Sequence, residues 1–193
     1  MAKAKKTKRP LLRALTVFLI LTVAVMTCYH AVIHIGKTLY PIQYSDLVEQ
    51  AAEENGYPPS LIYAIIHTES KFDKNAVSSA DAKGLMQITD ATFHWAQRRA
   101  GEKKTDSDNL FIPEINIKYG CYILTLLSEQ FSNTETVLAA YNAGQGHVAE
   151  WLKDSRYSAD GVTLHTIPYE ETADYVSRVL TAQKRYQLLY NIP

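Results

Sequence analysis

The stretch 67-HTESKFDKNAVSSADAKGLMQIT-89 decides how this chain is read. A carboxylate, Glu69, stands where the apolar run 61-LIYAIIHTES-70 gives way to small and turn-forming residues. Leu61, Ile62, Ile65 and Ile66 recur with helical period, and Ser60 is placed to cap the helix they imply. Glu69 then falls in the last turn. The negative end of the helix dipole disfavours a carboxylate there, and apolar neighbours withhold solvation from it. Both effects favour the neutral acid, the form a general acid needs near neutral pH. Most glutamates at helix ends are plain solvated side chains, and the pattern alone leaves that reading open beside the catalytic one.

Working outward, helical patterns dominate. Ser45 or Asp46 starts a helix through Glu54 that Asn55-Gly56 ends, and Tyr57-Pro58-Pro59 is a turn. Asp90-Ala91-Thr92-Phe93 opens another helix, and 101-GEKKTDSDN-109 is a polar loop. Pro113 begins a helix through about Gln130, with Ile115, Ile117, Tyr122, Ile123, Leu126 and Leu127 as core candidates. Residues 134–141 form a helix ended by 142-NAGQG-146, residues 147–153 a short one, and residues 170–189 the last. No run of alternating β-branched residues occurs, so any sheet is a small hairpin near 154–168 or 71–89.

Toward the N-terminus the composition changes. Lys3, Lys5, Lys6, Lys8, Arg9 and Arg13 crowd the first 13 residues, and no Asp or Glu precedes Asp46. From Pro41 onward 13 basic residues face 20 acidic ones. That balance argues against a nucleic-acid footprint, which needs a basic face. Residues 14–36 carry no Asp, Glu, Lys or Arg before Lys37 and fit one transmembrane helix. The expected order is a basic cytoplasmic tail (1–13), an anchor (14–36), a connector (37–44) and one domain (45–193). The positive flank predicts a cytoplasmic N-terminus and a domain on the outer face. A cleaved signal peptide would have a shorter apolar region and a small-residue cut site. Cys28, in the span, and Cys121, in the domain, are not expected to pair. Cys121 is expected as a buried thiol, and neither the cysteines nor the scattered histidines show metal-ligand spacing.

The search for a second carboxylate yields Asp73 and Asp81, both in turn-rich sequence where solvated or capping roles fit better. His67 lies two residues from Glu69 and faces elsewhere on a helix. About eleven tyrosines follow Pro41. A tyrosine ring can lie on the apolar face of a sugar while its hydroxyl hydrogen-bonds. Tyr141, in 140-AYNAGQG-146, is the most distinctive of them, although a core tyrosine before a helix cap would look the same.

Four blocks together resemble a known family. Glu69-Ser70-x-Phe72-x-x-x-Ala76-Val77-Ser78, followed by Gly84-Leu85-Met86-Gln87, resembles the soluble-type (SLT) lytic transglycosylase domain, a relative of goose-type lysozyme in the lysozyme-like superfamily. The blocks 109-NLFIPEINIKYGCYIL-124, 139-AAYNAG-144 and 167-IPYEETADYVSRVL-180 agree in order and spacing. The resemblance implies a mainly α, lysozyme-like domain with at most a small β-hairpin, preceded by one transmembrane helix. It implies Glu69 as the acid/base. It implies Ser78, Met86 and Gln87 as groove residues touching glycan, and Tyr141 as the tyrosine that positions Glu69. Asn142 would shape that loop, and Tyr175 would be a second groove tyrosine. The implied substrate is peptidoglycan, cleaved between N-acetylmuramic acid and N-acetylglucosamine to leave 1,6-anhydromuramic ends, without metal or cofactor. A hydrolase of the goose-lysozyme kind and a non-catalytic peptidoglycan-binding protein are the alternatives. One departure is Asp81-Ala82 where the family often has Gly-Ala. An Asp tolerates left-handed backbone, so the turn is expected to survive.

Overall fold

The structure, a computed structural model, describes residues 9–193. The chain divides into two compact units at Pro41 and Ile42. The first holds α1, Arg9–Leu39. Within its stretch Leu12–Leu39 an 18-residue segment reaches a mean hydropathy of 2.1, and the 28 residues are long and apolar enough to cross a membrane. The hydroxyls of Thr16, Thr22, Thr27 and Thr38 each donate to the carbonyl four residues back, which satisfies them within the helix. The helix takes in the first residues of the expected connector. Nothing breaks it before Pro41, whose ring disfavours helical backbone at the residue before it. The first eight residues of the basic tail lie outside the described residues.

In the second unit the elements are α2 (Ser45–Asn55), α3 (Pro59–Glu69), α4 (Asp90–Arg99), a 3-10 turn (Ser107–Phe111), α5 (Pro113–Ser128), α6 (Thr134–Ala143), α7 (Gln145–Lys153) and α8 (Glu170–Tyr190). No strand forms among the described residues. Two isolated antiparallel bridges, Val77 to Lys83 and Lys83 to Ile88, are the β structure of the described residues, in one of the two places expected. The other, residues 154–168, is held by side-chain caps: Asp160 accepts from the amides of Val162 and Thr163 at 2.9 and 2.7 Å.

α3 is the central helix. Leu61 to Ile66 are all buried, as befits a helix that is apolar on every side. It packs chiefly on α8, where Tyr63 stacks on Tyr186 with ring centroids 5.4 Å apart. Ser60 does not cap this helix. Pro59 opens it, its missing N–H costing nothing at that position. Ser60 is buried inside the first turn, where its amide donates to the Pro193 carbonyl at 3.2 Å. α6 also runs further than its sequence suggests. Tyr141 and Asn142 lie in its last turn, and the chain leaves the helix at Gly144, with φ at 91°.

Candidate active site

A cleft of about 390 Å³ opens at the C-terminal end of α3, walled by the 78–89 loop, the start of α4, and the ends of α6 and α8 that face each other. Glu69, Ser78, Gln87, Tyr141 and Asn142 all line it. Residues far apart in sequence thus line one cleft with this carboxyl.

Glu69 is the last residue of α3. Its pKa is pushed up from the ordinary 4.5 to about 7, first by burial. The Tyr175 phenol and the Arg178 charge pull the other way and lose to it. Removing solvent from a carboxylate disfavours the charged form, and that is the stronger effect here. The Tyr175 hydroxyl is aimed at this carboxyl without making a hydrogen bond of good geometry. Tyr175 is 2% exposed, so it backs Glu69 from beneath and is not an open groove wall. Tyr141 differs from expectation in a related way: its hydroxyl donates to the Met86 carbonyl at 2.8 Å and not to Glu69. Burial and the nearby Glu69 charge push its phenol pKa well up, so it stays a donor.

The chain after Glu69 is strained. Lys71 and Phe72 have φ of 54° and 66°, a left-handed pair without glycine. Such residues cost about 1–3 kcal/mol each and persist where surroundings over-determine them. Here Phe72 is buried, and Ser70 Oγ donates to the Leu85 carbonyl at 2.8 Å, tying the end of α3 to the returning loop. His67 faces away from Glu69, toward Lys71 and the Tyr186 ring.

Ser78 forms the near lip of the cleft. Its Oγ accepts from the amides of Ala80 and Ala82 at 3.2 and 3.1 Å, and its carbonyl accepts from Asp81 N at 3.0 Å. The hydroxyl proton is left to donate outward. Asp81 occupies the turn with φ at 57°, the left-handed geometry that Asp tolerates. Its charge is felt by Lys83, and Asp81 is not among the residues lining the cleft. Gln87 spends both amide protons on the carbonyls of Ala76 and Gly84, at 3.1 and 2.9 Å. Its Oε1 therefore remains as an acceptor. Asn142 Oδ1 accepts from Thr172 Oγ1 at 2.8 Å, which joins the α6 end to α8.

Met86 departs from the expected groove role. It is fully buried, its thioether against Gly120 of α5 in space that a Cβ at Gly120 would fill. Its contribution to the cleft is the carbonyl that holds Tyr141.

Two features escaped the sequence reading. Asn116, fully buried on α5, accepts from the Met86 amide at 2.7 Å and donates to the carbonyls of Lys83 and Leu110 at 2.9 and 2.8 Å. It staples the loop that carries Gln87. Gly84 must be glycine beside it: φ is 74°, and a Cβ would fall on the Asn116 amide and the Leu110 carbonyl. The second feature is Glu171, an exposed carboxylate in the first turn of α8 that lines the same cleft. No cluster of three His, Cys, Asp or Glu side chains suited to a metal occurs among the described residues. Cys121 is buried, its thiol pushed up to about 12 by desolvation.

A helical domain with one desolvated glutamate at the end of its central helix, opposite a turn-rich loop and a helix-end tyrosine, has the lysozyme-like architecture. The chain belongs to the transglycosylase SLT domain family, whose profile matches residues 46–162. Among curated relatives, the soluble lytic murein transglycosylase of Escherichia coli (strain K12) is 34% identical over 151 residues, 77% of this chain and 23% of its own length. The membrane-bound lytic murein transglycosylase C of Serratia proteamaculans is 34% identical over 176 residues, 80% of this chain and 49% of its own. The crystal structure of the 70 kDa soluble lytic transglycosylase of Escherichia coli superposes with a TM-score of 0.70 at 30% identity, over 79% of this chain and 25% of that one. The inactive Glu-to-Gln mutant of lytic transglycosylase Slt from Pseudomonas aeruginosa gives 0.68 at 31%, over 80% and 25%. This chain thus spans about a quarter to a half of the length of the relatives it matches.

Proposed function

We propose that this chain is a membrane-anchored peptidoglycan lytic transglycosylase with Glu69 as its single acid/base. The observation that carries the proposal is the pKa of Glu69 near 7, raised by burial where the side chain lines a cleft of about 390 Å³. A carboxyl poised at that value can give and retake a proton at neutral pH. Protonated Glu69 donates to the glycosidic oxygen between N-acetylmuramic acid and N-acetylglucosamine, and the C1–O bond breaks. The carbonyl oxygen of the substrate's own acetamido group stabilises the cation at C1. Ionised Glu69 then takes the proton of the muramic C6 hydroxyl as O6 bonds to C1. The 1,6-anhydro ring forms and no water is consumed. Tyr175 and Tyr141, with the Met86 carbonyl, position the acid. Ser78 Oγ and Gln87 Oε1 offer a donor and an acceptor to acetamido groups, and Asn142 fixes the rim.

The apolar helix α1 serves as the anchor in this reading, with the basic N-terminus cytoplasmic and the domain on the outer face beside the wall. A membrane-bound relative agrees with an anchored member. One observation favours a hydrolase instead: Glu171 lines the cleft and could direct a water to C1. The test is release of soluble muropeptides from purified sacculi by the chain and by Glu69→Gln. Loss of release in the variant supports the proposal, and equal release refutes it. Glu171→Gln should leave turnover within a few-fold. A collapse comparable to that of the Glu69 variant would favour the hydrolase.

A further inference from the structure

Lys83 is 8% exposed, uncommon for a lysine unless its charge is matched. It stands in the middle of the loop that carries Ser78 and Gln87. Ala82 and Gln87 line the cleft, and Lys83 does not. Successive residues of an extended segment face opposite ways, so the Lys83 side chain leaves the loop on the side away from the cleft. Its backbone joins the two arms of the loop through the bridges to Val77 and Ile88. In the second bridge Lys83 N donates to the Ile88 carbonyl at 3.0 Å, and Ile88 N to the Lys83 carbonyl at 3.1 Å.

Behind the loop the ammonium meets three acceptors from two other elements. Nζ donates to Ser107 Oγ at 3.0 Å and to Asp108 Oδ1 at 3.2 Å, both in the 3-10 turn. It lies 3.1 Å from Asp90 Oδ1, at the start of α4. An ammonium has three protons, and this set uses all of them. The three contacts are unequal. The Asp108 side chain is 72% exposed, and water screens that pair to little net value. Asp90 Oδ1 is shut off from solvent, with the Lys83 charge facing it. Removing the partner of such an oxygen leaves a desolvated charge uncompensated, so the Asp90 contact is the one that holds the loop. Asp81, two residues before Lys83, adds a further negative charge that favours the ammonium.

The elements tied here supply lining to the cleft: the loop gives Ser78 and Gln87, and α4 gives Thr92. Asn116 fixes the arm after Gly84 through the Met86 amide, and the Lys83 side chain fixes the arm before it. We propose that Lys83 is a positioning residue for glycan cleavage. From behind the cleft its ammonium sets where Ser78 and Gln87 stand relative to Glu69, without itself touching the sugar. The inference rests on the glycan-cleaving reading above.

The test is Lys83→Met, which keeps an unbranched side chain and removes its charge, in the full chain in detergent micelles. Turnover is measured on glycan strands solubilised from sacculi. A displaced loop misplaces the Ser78 donor and the Gln87 acceptor but leaves Glu69 at the end of α3. KM should therefore rise by about tenfold, the scale of one good hydrogen bond, while kcat changes by less than about twofold. A merely structural role gives the reverse, because fewer folded molecules lower kcat and leave KM alone. That reverse pattern, or a parental KM, overturns the proposal. Should Lys83→Met fail to fold, Asp90→Asn serves in its place. It keeps the shape of Asp90 and weakens the ion pair, so KM should rise by about threefold, and a parental KM overturns the proposal equally. Binding of N-acetylglucosamine oligomers, by calorimetry in the Glu69→Gln background, is scored apart. A parent that cleaves nothing, with binding that weakens about tenfold in Lys83→Met, discards the lytic reaction and keeps the clamp on the loop. An active parent whose oligomer binding ignores Lys83→Met discards the positioning role alone.

Discussion

Glu69 should weaken the fold it serves, and by an amount that depends on pH. Its pKa rises from 4.5 to about 7 on folding, because burial penalises the charged form. The sign follows from proton counting. Between those two values the folded state holds a proton that the unfolded chain has released, so stability falls as pH rises. Below 4.5 both states are protonated and Glu69 costs nothing. Above 7 both are ionised and the desolvation cost is complete. A rise of this size corresponds to about 3 kcal/mol, an upper bound because some solvent still reaches the cleft. Glu69→Gln removes the charge and keeps the shape. It should therefore be more stable than the parent by about 2–3 kcal/mol at pH 8, and by close to nothing at pH 4.5. Urea unfolding of the full chain in micelles, followed by tryptophan emission, reads this directly. Both tryptophans lie in the Ile42–Pro193 unit, so the signal reports that unit alone. A variant no more stable than the parent at pH 8, or a gain that does not fade toward pH 4.5, would refute the reasoning.

Other perturbations follow from the same contacts. Asn116→Ala strands the Met86 amide and two carbonyls in the interior, and should cost about 3 kcal/mol or more in urea unfolding. Tyr141→Phe frees the Met86 carbonyl and loosens the support of Glu69. It should lower kcat on sacculi more than it raises KM, and unchanged turnover would exclude the positioning role. Tyr175→Phe removes a group that pulls the Glu69 pKa down. The basic limb of the rate profile should move to higher pH, and a downward move would contradict the geometry.

Much of the helical frame was legible because its signals are local. Asn55-Gly56 ends α2, Pro113 opens α5, and Glu69 closes α3, each by short-range chemistry. The left-handed turn at Asp81 was legible for the same reason. Where the reading failed, long-range packing decided. Ser60 looks like a cap, but the end of the chain claims its amide. Met86 looks like a groove residue in its motif, yet Gly120, 34 positions away, leaves the space that swallows it. Asn142 looks like a terminator, yet α6 continues until Gly144. Asn116 carries no local mark at all; it is a staple because three backbone groups converge on it.

The central claim is that Glu69 alone drives an internal cyclisation. Mass spectrometry of sacculus digests tests it most directly. The expected products end in 1,6-anhydromuramic acid, lighter by one water than hydrolytic products, and they vanish with Glu69→Gln. Reducing muramic ends of full mass from the unmodified chain would contradict the claim.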